Sequence, residues 1–211
     1  SVSMSSPPPL ARQHREITRI NAELKDLVKR DPMTGLLNKS AMEAQIEVCL
    51  EQIPKTGGAT LFLLDVDDFK SINDRFGHRC GDLVLLAAAA ELRAAFPDAR
   101  GIGRVGGDEF AAVFDRPLPA ETAMEMGARL AKCRAPLQSW NDMAVFGCSV
   151  GICVCSRTSV SCGQFYQEAD QALYTSKQQG KARCSFCKIE GGPAVEPETA
   201  SGSSETSGFR T

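Results

Sequence analysis

The sequence predicts an α+β domain in which helices flank a mostly antiparallel sheet. Three observations support this prediction. Apolar runs of strand length alternate with longer segments of helical pattern along the chain. A glycine pair separates two short apolar runs, as in a β-hairpin. The resulting order, β-α-ββ-α-β-α-β, is related to split βαβ folds rather than to a doubly wound sheet.

The N-terminal residues are predicted to lie outside this domain. Residues 1–9 are rich in Ser and Pro and are expected to form a disordered leader. Residues 10–30 predict a helix, in which apolar residues recur at alternating spacings of three and four: Ile17, Ile20, Leu24 and Leu27. This helix either packs on its own domain or forms a dimerising stalk, and the coiled-coil spacing favours the stalk. Asp31-Pro32 is expected to end it, because the residue before proline is disfavoured in the α region.

The domain itself is predicted to span residues 31–190. Its first helix covers residues 40–52 and ends before Pro54. Residues 59–65 form a continuous apolar run of strand length, which predicts a strand buried on both faces. An Ala- and Leu-rich helix follows over residues 80–95.

A hairpin is predicted next, with strands at residues 101–105 and 109–114 around Gly106 and Gly107. The glycine pair predicts a turn of the primed type, because glycine tolerates positive φ. A helix over residues 120–135 follows the hairpin.

The last part of the domain is predicted to contain two strands and one helix. Residues 144–155 alternate as in a strand, and residues 165–179 form a helix with Gly180 as its C-cap. Residues 183–189 form the closing strand. Residues 191–211, dominated by Gly, Ser, Thr, Pro and Glu, are expected to be a disordered tail because they offer little apolar surface to bury.

Composition limits the classes of function. The chain has 211 residues, is 43% hydrophobic and 24% charged, and carries a formal net charge of −2. This balance argues against a DNA- or RNA-coating protein and against direct contact with an anionic membrane, but a small nucleotide held by local charges stays open. Nine irregularly spaced cysteines favour a reducing compartment. A cytoplasmic location is expected, and a membrane-anchored parent protein stays open.

A buried strand that leads directly into acidic residues is the first sign of chemistry. Asp65, Asp67 and Asp68 follow the apolar run at 59–64. Because carboxylates are rarely buried without a positive partner, the segment is either a solvated strand end next to Lys70 or a site for a hard cation. Mg²⁺ suits such a site, since it takes one or two carboxylates and leaves its other positions to water and phosphates.

The second sign is the sequence RVGGDEF at residues 104–110. Its glycines leave backbone N–H groups open to an anion, and Asp108 and Glu109 directly follow them. If this turn lies beside the end of the Asp65 strand, three or four carboxylates converge. We expect such a cluster to be stable only with metal, in the two-metal arrangement of phosphoryl transfer.

Four motifs together resemble the GGDEF-domain diguanylate cyclases over residues 28–189. They are DPMTGLLNK, LLDVDDFKSINDRFGHRCGD, RVGGDEF and ADQALYTSKQQGK, in the order of the family. The resemblance implies the palm-like nucleotidyl-cyclase fold, with a central sheet of about five strands. It also implies condensation of two GTP into cyclic di-GMP and two pyrophosphates, with each 3′-hydroxyl attacking the other GTP's α-phosphorus across a homodimer.

The resemblance implies roles for individual residues. The catalytic acids would be Asp65, Asp108 and Glu109. The first two acids and the carbonyl of Val66 would bind Mg²⁺ or Mn²⁺, two ions per site, and Glu109 would hold metal or activate the attacking hydroxyl. Asn73 and Asp82 would read the guanine base. The other implied substrate contacts, mainly to phosphate and ribose, are Asp68, Phe69, Lys70, Arg104, Gly106, Gly107, Lys177 and Lys181.

One departure from the family and two alternatives complete the interpretation. Many members carry an inhibitory Arg-x-x-Asp that binds the product, but residues 97–100 read PDAR here, so product inhibition is expected to be weak. A catalytically silent GGDEF module that binds GTP or cyclic di-GMP is the alternative function, although the catalytic acids and both glycines are intact. The pairs Cys153-x-Cys155 and Cys184-x-x-Cys187 form either a zinc or redox site or, more simply, small apolar packing residues.

Overall fold

The computed structural model of the chain describes residues 28–137 and 142–190. The predicted leader, most of the predicted stalk helix and the predicted tail therefore lie outside the described residues. Helical conformation ends at Val28, three residues before Asp31, and Arg30 forms an isolated antiparallel bridge with Leu37.

The described residues form six helices and six strands. In chain order they are α1 (Lys39–Glu51), α2 (Ile53–Thr56), β1 (Ala59–Val66), α3 (Phe69–Phe76), α4 (His78–Ala95), β2 (Gly101–Arg104), β3 (Glu109–Phe114), α5 (Ala120–Leu130), β4 (Lys132–Leu137), β5 (Asp142–Cys155), α6 (Cys162–Gln178) and β6 (Cys184–Ile189). None of these helices is both long enough and apolar enough to cross a bilayer.

The sheet confirms the predicted α+β class and its mostly antiparallel pairing. The strand order is β2-β3-β1-β5-β4, with β6 paired to β5. β5 is long enough to pair with three strands: its first half pairs with β4, and its second half lies between β1 and β6. The β5–β6 pair is parallel, and every other pair is antiparallel.

Two elements differ from the sequence prediction. The predicted helix over 120–135 is wrong beyond Leu130, because Lys132–Leu137 forms the edge strand β4, whose residues pair with β5 from Lys132 opposite Gly147 to Leu137 opposite Asp142. An edge strand also tolerates Pro136, which cannot donate to a ladder. The prediction also lacked α3, a short helix that separates the acidic segment from α4.

The central strand β1 has both faces covered, as its apolar sequence predicted. All eight of its residues are buried. Phe62 packs on one side with Phe96 and Phe114, at ring-centroid distances of 4.7 and 5.8 Å. Leu61 and Leu63 pack on the other side with the apolar residues of α1 and α6. The acidic residues, which begin at Asp65, therefore lie at the end of a strand that is otherwise apolar and covered on both faces.

Candidate active site

Pairing of β1 with β3 brings the two acidic motifs together. Asp65 and Glu109 are directly opposite each other in the antiparallel register. The next residue of β1, Val66, donates its backbone N–H to the carbonyl of Asp108 at 3.1 Å. The condition stated above, that the turn of residues 104–110 lies beside the end of the Asp65 strand, is thus met.

The electrostatic situation of Asp65 is unfavourable without a positive partner. Burial is the main cause that raises the pKa of its carboxyl, and the nearby Asp108 and Glu109 raise it further. Lys177, on the last turn of α6, opposes this with an ion pair of 2.8 Å between Nζ and Asp65 Oδ2. The protein thus supplies one cation of its own at Asp65, and the expectation that the cluster needs a metal stays a prediction.

The donor set nevertheless fits a divalent metal. Among the described residues, no group of three His, Cys, Asp or Glu side chains is arranged as a ready-made metal cage. Mg²⁺ does not require one, because it binds through one or two carboxylates and completes its shell with water and phosphate oxygens. Asp65, Asp108 and the Val66 carbonyl offer such oxygen donors, and the two carboxylates add negative charge.

Asp67 and Asp68 follow Asp65 along the chain and have partners of their own; residues 65–68 are called the β1 segment below. Asp67 is buried and bonds to Ser149 and to the backbone of Ala182. Asp68 pairs with Lys181, at 2.6 Å between its Oδ1 and Nζ, and this hydrogen bond raises the pKa of Lys181. The acidic neighbours that act on the Asp65 carboxyl are thus Asp108 and Glu109.

The turn at Gly106 and Gly107 is not of the predicted primed type. Neither glycine adopts a left-handed φ. The turn is closed by Val105 N–H, which donates to the Glu109 carbonyl at 2.9 Å. Gly106 lies against a carboxylate instead: a Cβ there would lie 2.5 Å from Glu109 Oε2, so a side chain would shift this carboxylate.

Arg104 fixes the same turn from outside. Its Nε and Nη2 donate to the Gly107 carbonyl at 3.1 and 2.5 Å, and its Nη1 lies 3.4 Å from Asp31 Oδ1. Asp31 also accepts bonds from the backbone N–H and hydroxyl of Thr34. Burial raises the pKa of Asp31, but the bonds from Thr34 and Arg104 together hold it below its ordinary value. A substrate-binding role for Arg104 stays a prediction, since its guanidinium is engaged within the protein.

The predicted phosphate contacts gather around the start of α3. Asp68, the residue before the helix, has a left-handed φ of 55°. Phe69 is half-buried against the core, and Lys70 is exposed with no ion-pair partner among the described residues. Lys177 and Lys181 approach from the end of α6 and the loop that follows it, each paired with an acid of the β1 segment.

The predicted guanine contacts lie at the junction of α3 and α4. The Asn73 carboxamide packs directly against Gly81, where a Cβ would collide with its Oδ1. Asp82 is the next residue, exposed on the first turns of α4. The structure thus brings both residues to one place, and their role stays a prediction.

The cysteine pairs do not form a zinc site. Cys184 faces α5, with its Sγ 3.5 Å from the Met124 carbonyl. Cys187 faces α6, with its Sγ 3.3 Å from the Glu168 carbonyl. Three residues apart on a strand, the two thiols lie on opposite faces of the sheet and cannot bind one ion. Cys153 and Cys155 are fully buried among apolar residues, as the packing interpretation predicted.

The segment in place of the inhibitory motif, residues 97–100, is mostly exposed. Asp98 forms an exposed ion pair with Arg116, at 3.7 Å. Arg100 is exposed and donates its backbone N–H to the Val113 carbonyl.

Comparisons with known proteins agree with this geometry. The family model described as "Diguanylate cyclase, GGDEF domain" matches residues 28–183. The chain is 38% identical over 160 residues to diguanylate cyclase DgcP of Pseudomonas aeruginosa, which covers 72% of the chain and 23% of that protein. It is 33% identical over 156 residues to the probable diguanylate cyclase DgcC of Escherichia coli K12, covering 73% and 42% of the two chains.

A solved structure gives the same result. The crystal structure of the coiled coil and GGDEF domain of DgcB from Caulobacter crescentus, in complex with c-di-GMP, superposes with a TM-score of 0.71 at 28% identity. The match covers 84% of this chain and 97% of that one. The chain spans less than half of the length of the two curated relatives.

Proposed function

The chain belongs to the GGDEF-domain family of diguanylate cyclases, and we propose that its described domain condenses two GTP into cyclic di-GMP and two pyrophosphates. One observation carries the proposal. The register of β1 and β3 sets Asp65 opposite Glu109, with Asp108 adjacent, while lysines of α6 and its following loop face the same strand end. Clustered carboxylates beside cations suit a site that binds metal and triphosphate together.

The acids would hold the metal. We propose Mg²⁺ or Mn²⁺, two per site, bound by Asp65, Asp108 and the Val66 carbonyl, with Glu109 adjacent. When bound, these ions would lower the pKa of the attacking hydroxyl and take up charge on the phosphates and the leaving pyrophosphate. Glu109, which lies beside Gly106, would hold metal or accept the 3′-hydroxyl proton.

The lysines and α3 would bind the triphosphate. Lys177 and Lys181 already neutralise Asp65 and Asp68, so each can exchange a carboxylate for a substrate phosphate. The exposed Lys70 adds a third cation, and the backbone at Asp68 and Phe69 offers N–H donors. Lys181 stands where the family usually has Arg, so its contact is a point charge rather than a two-pronged one.

Asn73 and Asp82 would select the base. A carboxylate accepts from guanine N1–H and N2–H₂, whereas adenine has a lone pair at N1 and no 2-amino group. Because Asn73 lies against Gly81, next to Asp82, the two side chains can read one base edge together.

Two domains would have to face each other. Each supplies one GTP, and proximity of the two half-sites contributes much of the rate. We propose that residues 10–30 set this dimer geometry as a stalk on the catalytic domain 31–190. We also propose that residues 1–9 are a leader and residues 191–211 a tail outside the catalytic domain. The proposed location of the domain is the cytoplasm.

The test is incubation of the chain with GTP and MgCl₂, with the nucleotide product identified by mass spectrometry. Cyclic di-GMP and pyrophosphate are the expected products. The control variant is Glu91→Gln, on an exposed position of α4, which should give the same products at the same rate. If GTP binds but is recovered unchanged, the proposed cyclase activity is wrong and the catalytically silent GGDEF module is favoured.

A further inference from the structure

Asp67 is a buried carboxylate that the proposed chemistry does not use. Asp67 is 9% exposed, and its side chain bonds to Ser149, the residue of β5 that lies opposite Asp65. One carboxylate oxygen accepts the Ser149 hydroxyl at 2.6 Å, and the other accepts the backbone N–H of Ala182 at 2.8 Å. Its own N–H donates to the Gly147 carbonyl at 2.9 Å. Asp67 therefore joins the end of β1 to β5 and to the loop between α6 and β6.

That loop has an unusual backbone. Gly180, Lys181 and Ala182 have successive φ values of 110°, 60° and 46°. Left-handed conformation is unfavourable for residues other than glycine, so Lys181 and Ala182 need contacts that hold them there. The hydrogen bond from Ala182 to Asp67 is such a contact, and the bond of Lys181 N–H to the Ser176 carbonyl is a second.

Gly147 lies directly beside the contact between Asp67 and Ala182. A Cβ on Gly147 would lie 2.9 Å from Asp67 Oδ2 and 3.0 Å from Ala182 Cβ. The absence of a side chain at Gly147 thus lets the carboxylate and the loop meet.

The loop conformation decides where Lys181 points. Its Nζ lies 2.6 Å from Asp68, the residue next to Asp67, so the loop is tied to the β1 segment by two adjacent acids. We propose that Asp67 is a positioning residue, whose carboxylate holds the left-handed loop so that Lys181 faces the substrate triphosphate. Asp67 itself touches no substrate. This inference rests on the proposed function.

The experiment measures the dissociation constant of 3′-deoxy-GTP, which lacks the attacking hydroxyl, in the presence of MgCl₂. Asp67→Ala removes both hydrogen bonds and should weaken binding by about five- to tenfold. Asp67→Asn should stay within about twofold of the unmodified chain, because its Oδ1 can accept from Ala182 while its amide donates to Ser149. Should Asp67→Ala not fold, Asp67→Ser replaces it, since a serine hydroxyl is too short to reach Ala182.

A double-mutant cycle separates positioning from general stability. If Asp67 acts through Lys181, the double variant Asp67→Ala, Lys181→Met should bind no more than about twofold more weakly than Lys181→Met alone. Losses that multiply, or unchanged binding in Asp67→Ala, would overturn the inference. A chain that binds 3′-deoxy-GTP and shows this coupling, but makes no cyclic di-GMP, would overturn only the proposed function. An unmodified chain that does not bind the analogue would overturn both.

Discussion

The ion pair between Asp65 and Lys177 should respond very differently to removal of its two partners. Lys177→Met leaves the Asp65 carboxylate, whose side chain is 12% exposed, facing Asp108 and Glu109 without a cation. Asp65→Asn instead leaves Lys177, whose side chain is 36% exposed and can turn into water. We therefore expect the first change to destabilise the metal-free protein and the second to leave it equally stable or more stable.

The magnitudes follow from the burial of the two groups. Loss of an exposed pair costs at most about 1 kcal/mol, whereas leaving one charge of a buried pair alone costs about 3–5 kcal/mol. Asp65 is nearly buried and Lys177 is partly exposed, so the cost of Lys177→Met should lie between these two values. We expect it to lower the free energy of unfolding by about 2 kcal/mol, or the Tm by roughly 4–8 °C for a domain of this size. Asp65→Asn removes a carboxylate whose pKa is raised by burial and by like charges, and should change stability by between zero and about +1 kcal/mol.

Stability should also depend on pH through the same carboxyl. The folded-state pKa of Asp65 is raised, so the folded protein binds the proton of this carboxyl more tightly than the unfolded chain does. The stability gained from this proton is complete below the ordinary Asp pKa of 3.8 and is lost as the pH rises through the folded-state pKa. The advantage of Asp65→Asn over the unmodified chain should therefore be absent at low pH and present at neutral pH.

The assay is urea unfolding of chelator-treated protein, repeated with MgCl₂. Mg²⁺ should raise the stability of Lys177→Met more than that of Asp65→Asn, because only the former keeps the carboxylate. Lys188→Met is the matched control: it breaks the exposed 2.6 Å pair with Glu190 and should leave the midpoint unchanged. Equal losses in Lys177→Met and Asp65→Asn, or a large loss in Asp65→Asn, would refute the reasoning.

Four further predictions concern turnover. Asp108→Ala should abolish formation of cyclic di-GMP while GTP binding persists, because the developing phosphate charge loses a metal ligand; product and binding are measured on the same sample. From equal GTP and ATP the unmodified chain should make almost only cyclic di-GMP, and Asp82→Ser should admit adenine-containing products, which mass spectrometry of the mixture will show. Added cyclic di-GMP should inhibit weakly and competitively, since Asp98 is paired with Arg116 and residues 97–100 lack the Arg-x-x-Asp pattern; strong non-competitive inhibition would contradict this. A leucine zipper fused ahead of residues 10–30 should raise specific activity and remove its dependence on protein concentration, and constant activity of the unfused chain on dilution to monomer would contradict the two-half-site model.

The sequence was sufficient where structure depends on neighbouring residues. The apolar run of β1 predicted its burial on both faces, and the glycine pair predicted the hairpin of β2 and β3. Both follow from local pattern, because strands joined by a short turn pair with each other and a central strand must be apolar throughout. That the second acidic motif comes close to the first was only a condition, because it depends on the pairing of β3 with the distant β1.

The sequence was insufficient where the conformation of a segment depends on a residue far away in the chain. Residues 132–135 look helical, with Lys, Arg and Ala among them, yet the first half of β5 takes the segment as a strand. Gly106 was assigned a left-handed φ, whereas its φ is not left-handed and what lies beside it is the Glu109 carboxylate. The role of Asp67 depends on Ala182, a residue 115 positions away, and no local pattern announces that contact.

The acids at the end of β1 show how such a site exists before its substrate arrives. Asp65 is paired with Lys177, Asp67 with Ser149 and Ala182, and Asp68 with Lys181, so each carboxylate of the segment has its own partner from β5, from α6 or from the loop after it. Binding of metal and nucleotide would then be an exchange, in which the cation of Lys177 or Lys181 moves from a protein carboxylate to a phosphate. Asp67 is outside this exchange because its partners, a hydroxyl and a backbone N–H, are neutral groups and not cations. One acid of the segment can thus stay fixed and hold the loop, while its neighbours on either side change partners.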